Sequence, residues 1–238
     1  DSELVPQGVS AELIADHWSL SRQQLDEIAV SSHERAAIAR SSGLFTEEIA
    51  PISTGSGRVE QDQGIRPGTT LERLAQLSSP FREGGVVTAG NASQISDGAA
   101  ALLITTSEKA AQLGLKPWAR FHTFATQGVD PIMMLTGPIP ATAKVLKRAG
   151  LDIGEIGAFE VNEAFASVLG AWYAETAAEP KLTNPLGGAI ALGHPLGASG
   201  ARLTTTLVHH MRREGIRYGL QVMCEGGGMA NATILEVP

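Results

Sequence analysis

One cysteine, Cys224, is all the thiol that 238 residues carry. That scarcity excludes an intrachain disulfide and a cysteine-rich zinc site, and it fits a reducing compartment, the cytoplasm or an organelle matrix. Long apolar runs are missing as well. No stretch of about 18 apolar residues occurs, so no membrane span is expected. Positive charge does not prevail: the formal net charge is −7, which excludes a general attraction to nucleic acid. No signal-peptide pattern opens the chain, although a piece of a longer protein could have lost one. Six histidines show no metal-ligand spacing, and the adjacent His209 and His210 point to different sides of a helix. No internal repeat is visible.

What is present describes a soluble globular chain, 43% hydrophobic and 18% charged, of a length for one large domain or two small ones. Residues 1–8 read as a connector. Ser10 is a candidate cap for a short helix through Trp18. Ser21 with Gln24 forms a capping-box pattern for a longer helix that Gly43 stops, with His33 on its solvent side. Residues 45–68 hold short extended pieces between glycines, and Thr70 caps a helix over Leu71–Leu77. Strands are expected over Val86–Thr88, over the apolar run Ala99–Thr105 as a buried strand, and over Ala119–Ala125. A helix runs from Ser107 to Gly114. Gly128–Met134 is a loop whose two methionines look exposed. Pro138 opens a helix that Gly150 ends. A strand over Ile156–Val161, helices over Ala164–Ala178 and Gly200–Arg213, and strands over Gly219–Cys224 and Met229–Val237 complete the chain. The order across roughly 90–238 is β-α-β-α-β-β, an α/β pattern.

The densest chemistry lies between Gly187 and Gly228. His194 stands between Gly193 and Pro195, where no regular helix can continue. Cys224 follows 30 residues later, directly ahead of Glu225 and three glycines that let backbone N–H groups approach a ligand. A thiol, an imidazole and a bare backbone are the parts of an acyl-transfer site.

Gly-His-Pro-Leu-Gly-Ala-Ser-Gly over 193–200 and Cys-Glu-Gly-Gly-Gly over 224–228 resemble two signatures of thiolases. Asn162-Glu163-Ala164-Phe165 resembles a third. Gly90-Asn91-Ala92-Ser93 with Asp97-Gly98-Ala99-Ala100 resembles a fourth, in the segment that meets coenzyme A. The four stand in the family's order, and the likeness covers essentially the whole chain. It implies the thiolase-like fold, here the C-terminal β-α-β-α-β-β half of an αβαβα sandwich. Residues 1–88 would be the end of the first half and the loop region, and 89–238 the C-terminal domain. Two departures stand out. The nucleophilic cysteine of the family's first half has no counterpart here, and Leu186 replaces the second asparagine of the family's Asn-x-Asn-Gly-Gly.

The resemblance implies cleavage of a 3-ketoacyl-CoA by a second coenzyme A, or the reverse Claisen condensation. His194 would be the base that generates the nucleophile, near its working pH. Cys224 would be the acid and base at the alpha carbon. Asn162 and His194 would hold one oxyanion, and the N–H of Gly226 would contribute to the second. Ser93 and Ala89 would meet the pantetheine arm. Arg66, with Arg73 and Leu77, would face the nucleotide end, and Met134, Ala164 and Phe165 the acyl pocket. Coenzyme A enters as substrate, so no metal and no redox cofactor is implied. Homodimers or homotetramers are the implied assembly, and this chain alone is expected to be inactive. A catalytically silent scaffold or binding subunit is the alternative that the missing nucleophile favours. A ketoacyl synthase fits less well, because such enzymes usually carry a second histidine and no cysteine at position 224.

Overall fold

Capping chemistry sets the helices first. The computed structural model describes residues 4–238. In it Ser21 Oγ accepts from the Gln24 N–H while the Gln24 side chain accepts from the Ser21 N–H. This is the anticipated capping box, and it opens α2 (Arg22–Ser41). The Thr70 side chain caps α3 (Leu71–Leu74) by accepting from the Arg73 N–H, a shorter helix than the sequence suggests. The first helix departs more. α1 (Gln7–His17) starts behind Pro6, so Ser10 lies inside it, fully buried, instead of capping it. The connector expected over 1–8 falls partly outside the described residues, and Gln7 already belongs to α1.

A short exposed hairpin follows, β1 (Ile52–Thr54) with β2 (Gly57–Val59). α4 (Ser107–Gln112) is capped by the Thr106 side chain, which accepts from Lys109 N. The remaining elements follow the order read from the sequence, with one addition, the single turn α7 (Ala189–Leu192): β3 (Arg120–Gly128), α5 (Pro138–Ala149), β4 (Ala158–Val161), α6 (Ala166–Thr176), then α7, α8 (Ser199–Glu214), β5 (Tyr218–Glu225) and β6 (Met229–Glu236). The four strands β3 to β6 form one sheet in the order β3-β6-β5-β4. β4 and β5 run parallel, and the other two pairings are antiparallel.

Side-chain alternation divides this sheet into two dry faces. Phe159, Val161, Leu220, Val222, Ala232 and Ile234 join residues of α5 and α6, including the fully buried Trp172. Ala158 and Leu235 meet Leu207 and Met211 of α8. The sheet therefore lies between α5/α6 and α8, and α1 packs on the far side of α6 through Ala11, Ile14 and Ala15.

Two expected strands do not form. Val86 and Val87 lie in a loop whose N–H groups donate to the Glu12 carboxylate, each at 2.9 Å. Residues 99–105 have no regular structure and are exposed, Leu103 at 84% and Ile104 at 63%. Their apolar, β-branched pattern is that of a buried strand, but no strand among the described residues offers them a ladder. His33, expected on the solvent side of α2, is 5% exposed instead and accepts from Arg66 N at Nδ1.

Candidate active site

The candidate residues gather where β4 and β5 end. Parallel strands bring their carboxyl termini together, and the Asn162 N–H continues the β4–β5 ladder by donating to Val222 O at 3.0 Å. Asn162 and Cys224 thus leave neighbouring strands at the same edge. Open α/β sheets favour that edge for sites.

His194 reaches this edge from a turn. Gly193, with φ of +90°, passes so close to Ser96 that any Cβ would collide with its hydroxyl. The His194 N–H donates to Gln94 O at 2.9 Å, which ties the turn to the segment after Ser93. The imidazole is held at both nitrogens. Nε2 lies 3.3 Å from Asn162 Nδ2, and Nδ1 lies 2.5 Å from Ser199 Oγ. Ser199 Oγ also donates to Pro195 O at 2.9 Å, so its single proton is committed there. Nδ1 must then carry the ring proton and donate to Ser199, leaving Nε2 unprotonated to accept from Asn162 Nδ2. Burial, and secondarily the charge of Arg202, depresses the basicity of His194 and keeps it neutral.

Cys224 is 7% exposed, and burial pushes its thiol up to about 12. It is a thiol, not a thiolate, at neutral pH. It shares one apolar cluster with Met134, Ala164 and Phe165. Met134 therefore does not look outward: it is 3% exposed, in a one-turn 3-10 helix, Met134–Thr136. Gly226 is exposed in the turn joining β5 to β6. That turn is braced by Val129 N donating to Gly228 O at 2.7 Å, with Gly228 at φ +85°.

The Ala89–Ser93 segment lies across the start of α6. Ser93 N donates to Ala164 O, and Ala166 N donates to Asn91 O. Asn91 is fully buried and fixes the loop from inside, donating to Asp26 and to Val86 O while accepting from Thr88 N. Leu77 reaches the same loop, since a Cβ on Gly90 would lie 2.6 Å from a Leu77 methyl. Arg66 and Arg73 are exposed nearby in sequence; Arg73 donates to Gly68 O at 3.1 Å. Their guanidinium groups are not drawn into the His194–Cys224 edge by any hydrogen bond to it.

Several supports receive no role from the sequence, although Glu163 lies inside one of the motifs. Glu163 is buried and accepts from Ser32 Oγ, Asn184 Nδ2 and Ile190 N, which fixes the stretch leading to His194. Asn184 gives Val161 both hydrogen bonds of a missing strand neighbour, each at 2.8 Å. Leu186, where a polar residue is usual in the resembling family, is 5% exposed and packs with Ala36, Phe45, Ile65 and Ala191. Local support there is apolar. Among the described residues no cluster of His, Cys, Asp and Glu could hold a metal ion. No helix among them is long and apolar enough to cross a membrane.

This edge combines a neutral imidazole, an amide and a buried thiol on an α/β scaffold, and its relatives share the arrangement of the chain. Residues 2–108 match the family model described as thiolase, N-terminal domain, and residues 115–237 match thiolase, C-terminal domain. A steroid 3-ketoacyl-CoA thiolase of Mycobacterium tuberculosis is 51% identical over 226 residues, covering 95% of this chain and 55% of that protein. The human peroxisomal 3-ketoacyl-CoA thiolase is 44% identical, covering 99% and 58%. The crystal structure of Bacillus anthracis acetyl-CoA acetyltransferase superposes with a TM-score of 0.95 at 37% identity, covering 98% of this chain and 60% of that one. Human mitochondrial 3-ketoacyl-CoA thiolase in complex with CoA gives 0.94 at 37%, covering 98% and 59%. The chain belongs to the thiolase family. It spans between 55% and 60% of the length of these relatives.

Proposed function

We propose that the protein to which this chain belongs transfers acyl groups to coenzyme A, cleaving a 3-ketoacyl-CoA to a shorter acyl-CoA and acetyl-CoA, or running the reverse condensation. The observation that carries the reading is the ring of His194 held between Asn162 and Ser199, with its unprotonated Nε2 accepting from Asn162 Nδ2. A cysteine thiolate from outside this chain attacks the ketone carbon, after His194 has taken its proton. The bond between the alpha and keto carbons then breaks. Its electron pair passes to acetyl-CoA as an enolate, held by Asn162 and His194, and the Cys224 thiol protonates the enolate carbon. A second coenzyme A thiol then takes the acyl group from the enzyme cysteine, with Gly226 N–H donating to the oxyanion. The coenzyme A thiol gives its proton to the Cys224 thiolate, and the released enzyme cysteine recovers its proton from His194, so both groups return to their starting states; coenzyme A serves as substrate and no metal or redox cofactor enters the scheme.

The crystallised human relative binds CoA, which supports placing Ser93 and Ala89 along the pantetheine arm. Leu77, Arg66 and Arg73 would then lie toward the nucleotide, and Met134, Ala164 and Phe165 by the acyl group. Residues 1–88 would supply the end of the first half and the loop region, and 89–238 the C-terminal domain. The assembly is a homodimer or homotetramer in the cytoplasm or an organelle matrix; light scattering that shows only monomer counts against it. Since its one cysteine is Cys224, the 238-residue chain alone does not turn over acetoacetyl-CoA, and measurable thiolysis by it overturns that part. His194→Ala in the longest natural form tests the reading: thiolysis falls to background. Unchanged turnover sinks the assignment and leaves the second reading, a silent scaffold, which the absence of a second cysteine favours.

A further inference from the structure

Behind the His194 ring lies a pair of charges for which the acyl-transfer scheme has no use. Glu160 lies on β4 two residues before Asn162, whose N–H continues the ladder just past the strand, so both side chains leave the same face of the sheet. Arg202 follows Ser199 by three residues on α8, so both lie on one face of that helix. Each element thus carries one residue that touches His194 and one charged residue. The two charges face each other: Arg202 Nη1 is 3.8 Å from Glu160 Oε2.

Neither charge has a better partner. Glu160 is 1% exposed, and both of its carboxylate oxygens and both terminal nitrogens of Arg202 are buried without a hydrogen bond. Gln221, directly opposite Glu160 on β5, leaves its Nε2 unpartnered in the same layer. Burial raises the Glu160 carboxyl to about 8, Glu48 and Glu163 add to that, and Arg202 is the cation that pulls it back down. A buried pairing of this kind is a weak source of stability, but removing one partner leaves the other group buried and unpaired. The register it fixes is that of α8 against β4.

We propose that Arg202 is a positioning residue for His194: its buried pairing with Glu160 holds the first turn of α8, with Ser199, against the end of β4, with Asn162, and so keeps the two groups flanking the imidazole at their spacing. The inference rests on the acyl-transfer reading of the site. Arg202 touches neither the ring nor, in that reading, the substrate.

The test uses the longest natural form of the protein with acetoacetyl-CoA and coenzyme A, and compares Arg202→Lys, Glu160→Gln and the double variant Arg202→Met, Glu160→Gln. The double variant removes both members of the pair, but Arg202 also acts on Glu48, Asp62 and Glu163, so its kinetics are read only with a thermal midpoint matched to wild type, and Arg202→Lys, which keeps the cation, is the second arm. The expected result is a kcat lowered about tenfold or more in the double variant with KM within about twofold, and substantial rescue in Arg202→Lys. The charge of Arg202 also depresses the His194 basicity, while the flanking Asn162 and Ser199 are neutral. Its removal therefore shifts the acidic limb of the kcat profile to higher pH, which a loss of packing does not do. A double variant, or Glu160→Gln alone, with wild-type kcat overturns the proposal, wherever the limb lies. His194→Ala separates the two levels. If it keeps full thiolysis, the acyl-transfer reading fails; if it is inactive while the double variant runs at the wild-type rate, only the positioning proposal fails.

Discussion

Ser199 Oγ sits 2.5 Å from His194 Nδ1 and spends its own proton on Pro195 O. The hydroxyl is therefore an acceptor for the ring, and it selects the tautomer that leaves Nε2 basic. Replacing it by alanine removes that selection without touching Nε2. Ser199→Ala in the full-length protein should lower kcat for thiolysis about tenfold, equivalent to about 1.4 kcal/mol of barrier. The KM for coenzyme A should stay nearly unchanged. Steady-state rates at saturating and limiting coenzyme A check it, and an equal loss in KM would point to a binding role instead.

Asn184 replaces a strand. Its side chain both accepts from Val161 N and donates to Val161 O, at the open edge of β4, and its backbone takes a left-handed φ of 46° that asparagine tolerates better than most residues. Asn184→Ala strands two buried backbone groups, each costing about 1–3 kcal/mol. A loss of about 3 kcal/mol is the expected outcome in urea unfolding. A loss under about 0.5 kcal/mol, the size of an ordinary surface change, would mean that water replaces the amide freely.

His33 links stability to pH. Burial first, and then the charge of Arg66, lowers its basicity to about 4, and its Nδ1 must stay unprotonated to accept from Arg66 N. Below the ordinary value of 6.5 the unfolded chain binds a proton that the folded chain refuses. Stability contributed by the neutral ring is thus full above about pH 6.5 and falls as pH drops toward 4, with a slope of at most about 1.4 kcal/mol per pH unit. In His33→Asn, whose Oδ1 can accept in place of Nδ1, this contribution to the slope should vanish. Denaturation midpoints of both proteins between pH 4 and pH 7 read the difference.

Much of the fold was legible because local rules and packing agree. The Ser21 capping box, the start of α5 at Pro138, and the strands β4, β5 and β6 fall where propensity and periodicity place them. The misses share a cause: they depend on partners distant in sequence. Nothing near His33 says that a loop 33 residues away will donate to it. Nothing near Met134 says that Cys224 will lie in its cluster. The run 99–105 has the composition of a buried strand, yet burial needs a neighbouring ladder, and none of the strands described here supplies one. In the site, His194, Asn162 and Cys224 stood out as motif residues. Ser199 and Glu163 lie inside those motifs and Gln94 and Asn184 outside the four, but none receives a role from the sequence, since their roles are hydrogen bonds to backbone or ring that only the folded chain brings within reach.

That exposed run gives a measurement on the 238-residue chain itself. Residues 99–105 make no backbone hydrogen bond among those described, whereas β5 is paired on both sides. Their amides should exchange with deuterium within the earliest time points, while those of Leu220 and Val222 exchange only through global opening. Comparable protection in the two segments would show that 99–105 has found a partner in solution.

Cys224 carries the prediction that most directly separates a proton donor from a nucleophile. A reactive cysteine is exposed and held as thiolate by nearby positive charge. Cys224 is the opposite. It is buried against Met134, Ala164 and Phe165, and burial, aided by the neighbouring Glu225, pushes its thiol up to about 12. Between pH 7 and pH 8 it therefore stays protonated, which suits donation to an enolate carbon and disfavours attack. Iodoacetamide at pH 8 should label the native 238-residue chain far more slowly than free cysteine, whose thiol titrates near 8.5. Full labelling should follow in denaturant. The chain has no other thiol, so the mass increment reports this site alone. Labelling of the native chain at the rate of free cysteine would show an accessible, acidic thiol and would reassign Cys224 from proton donor to candidate nucleophile.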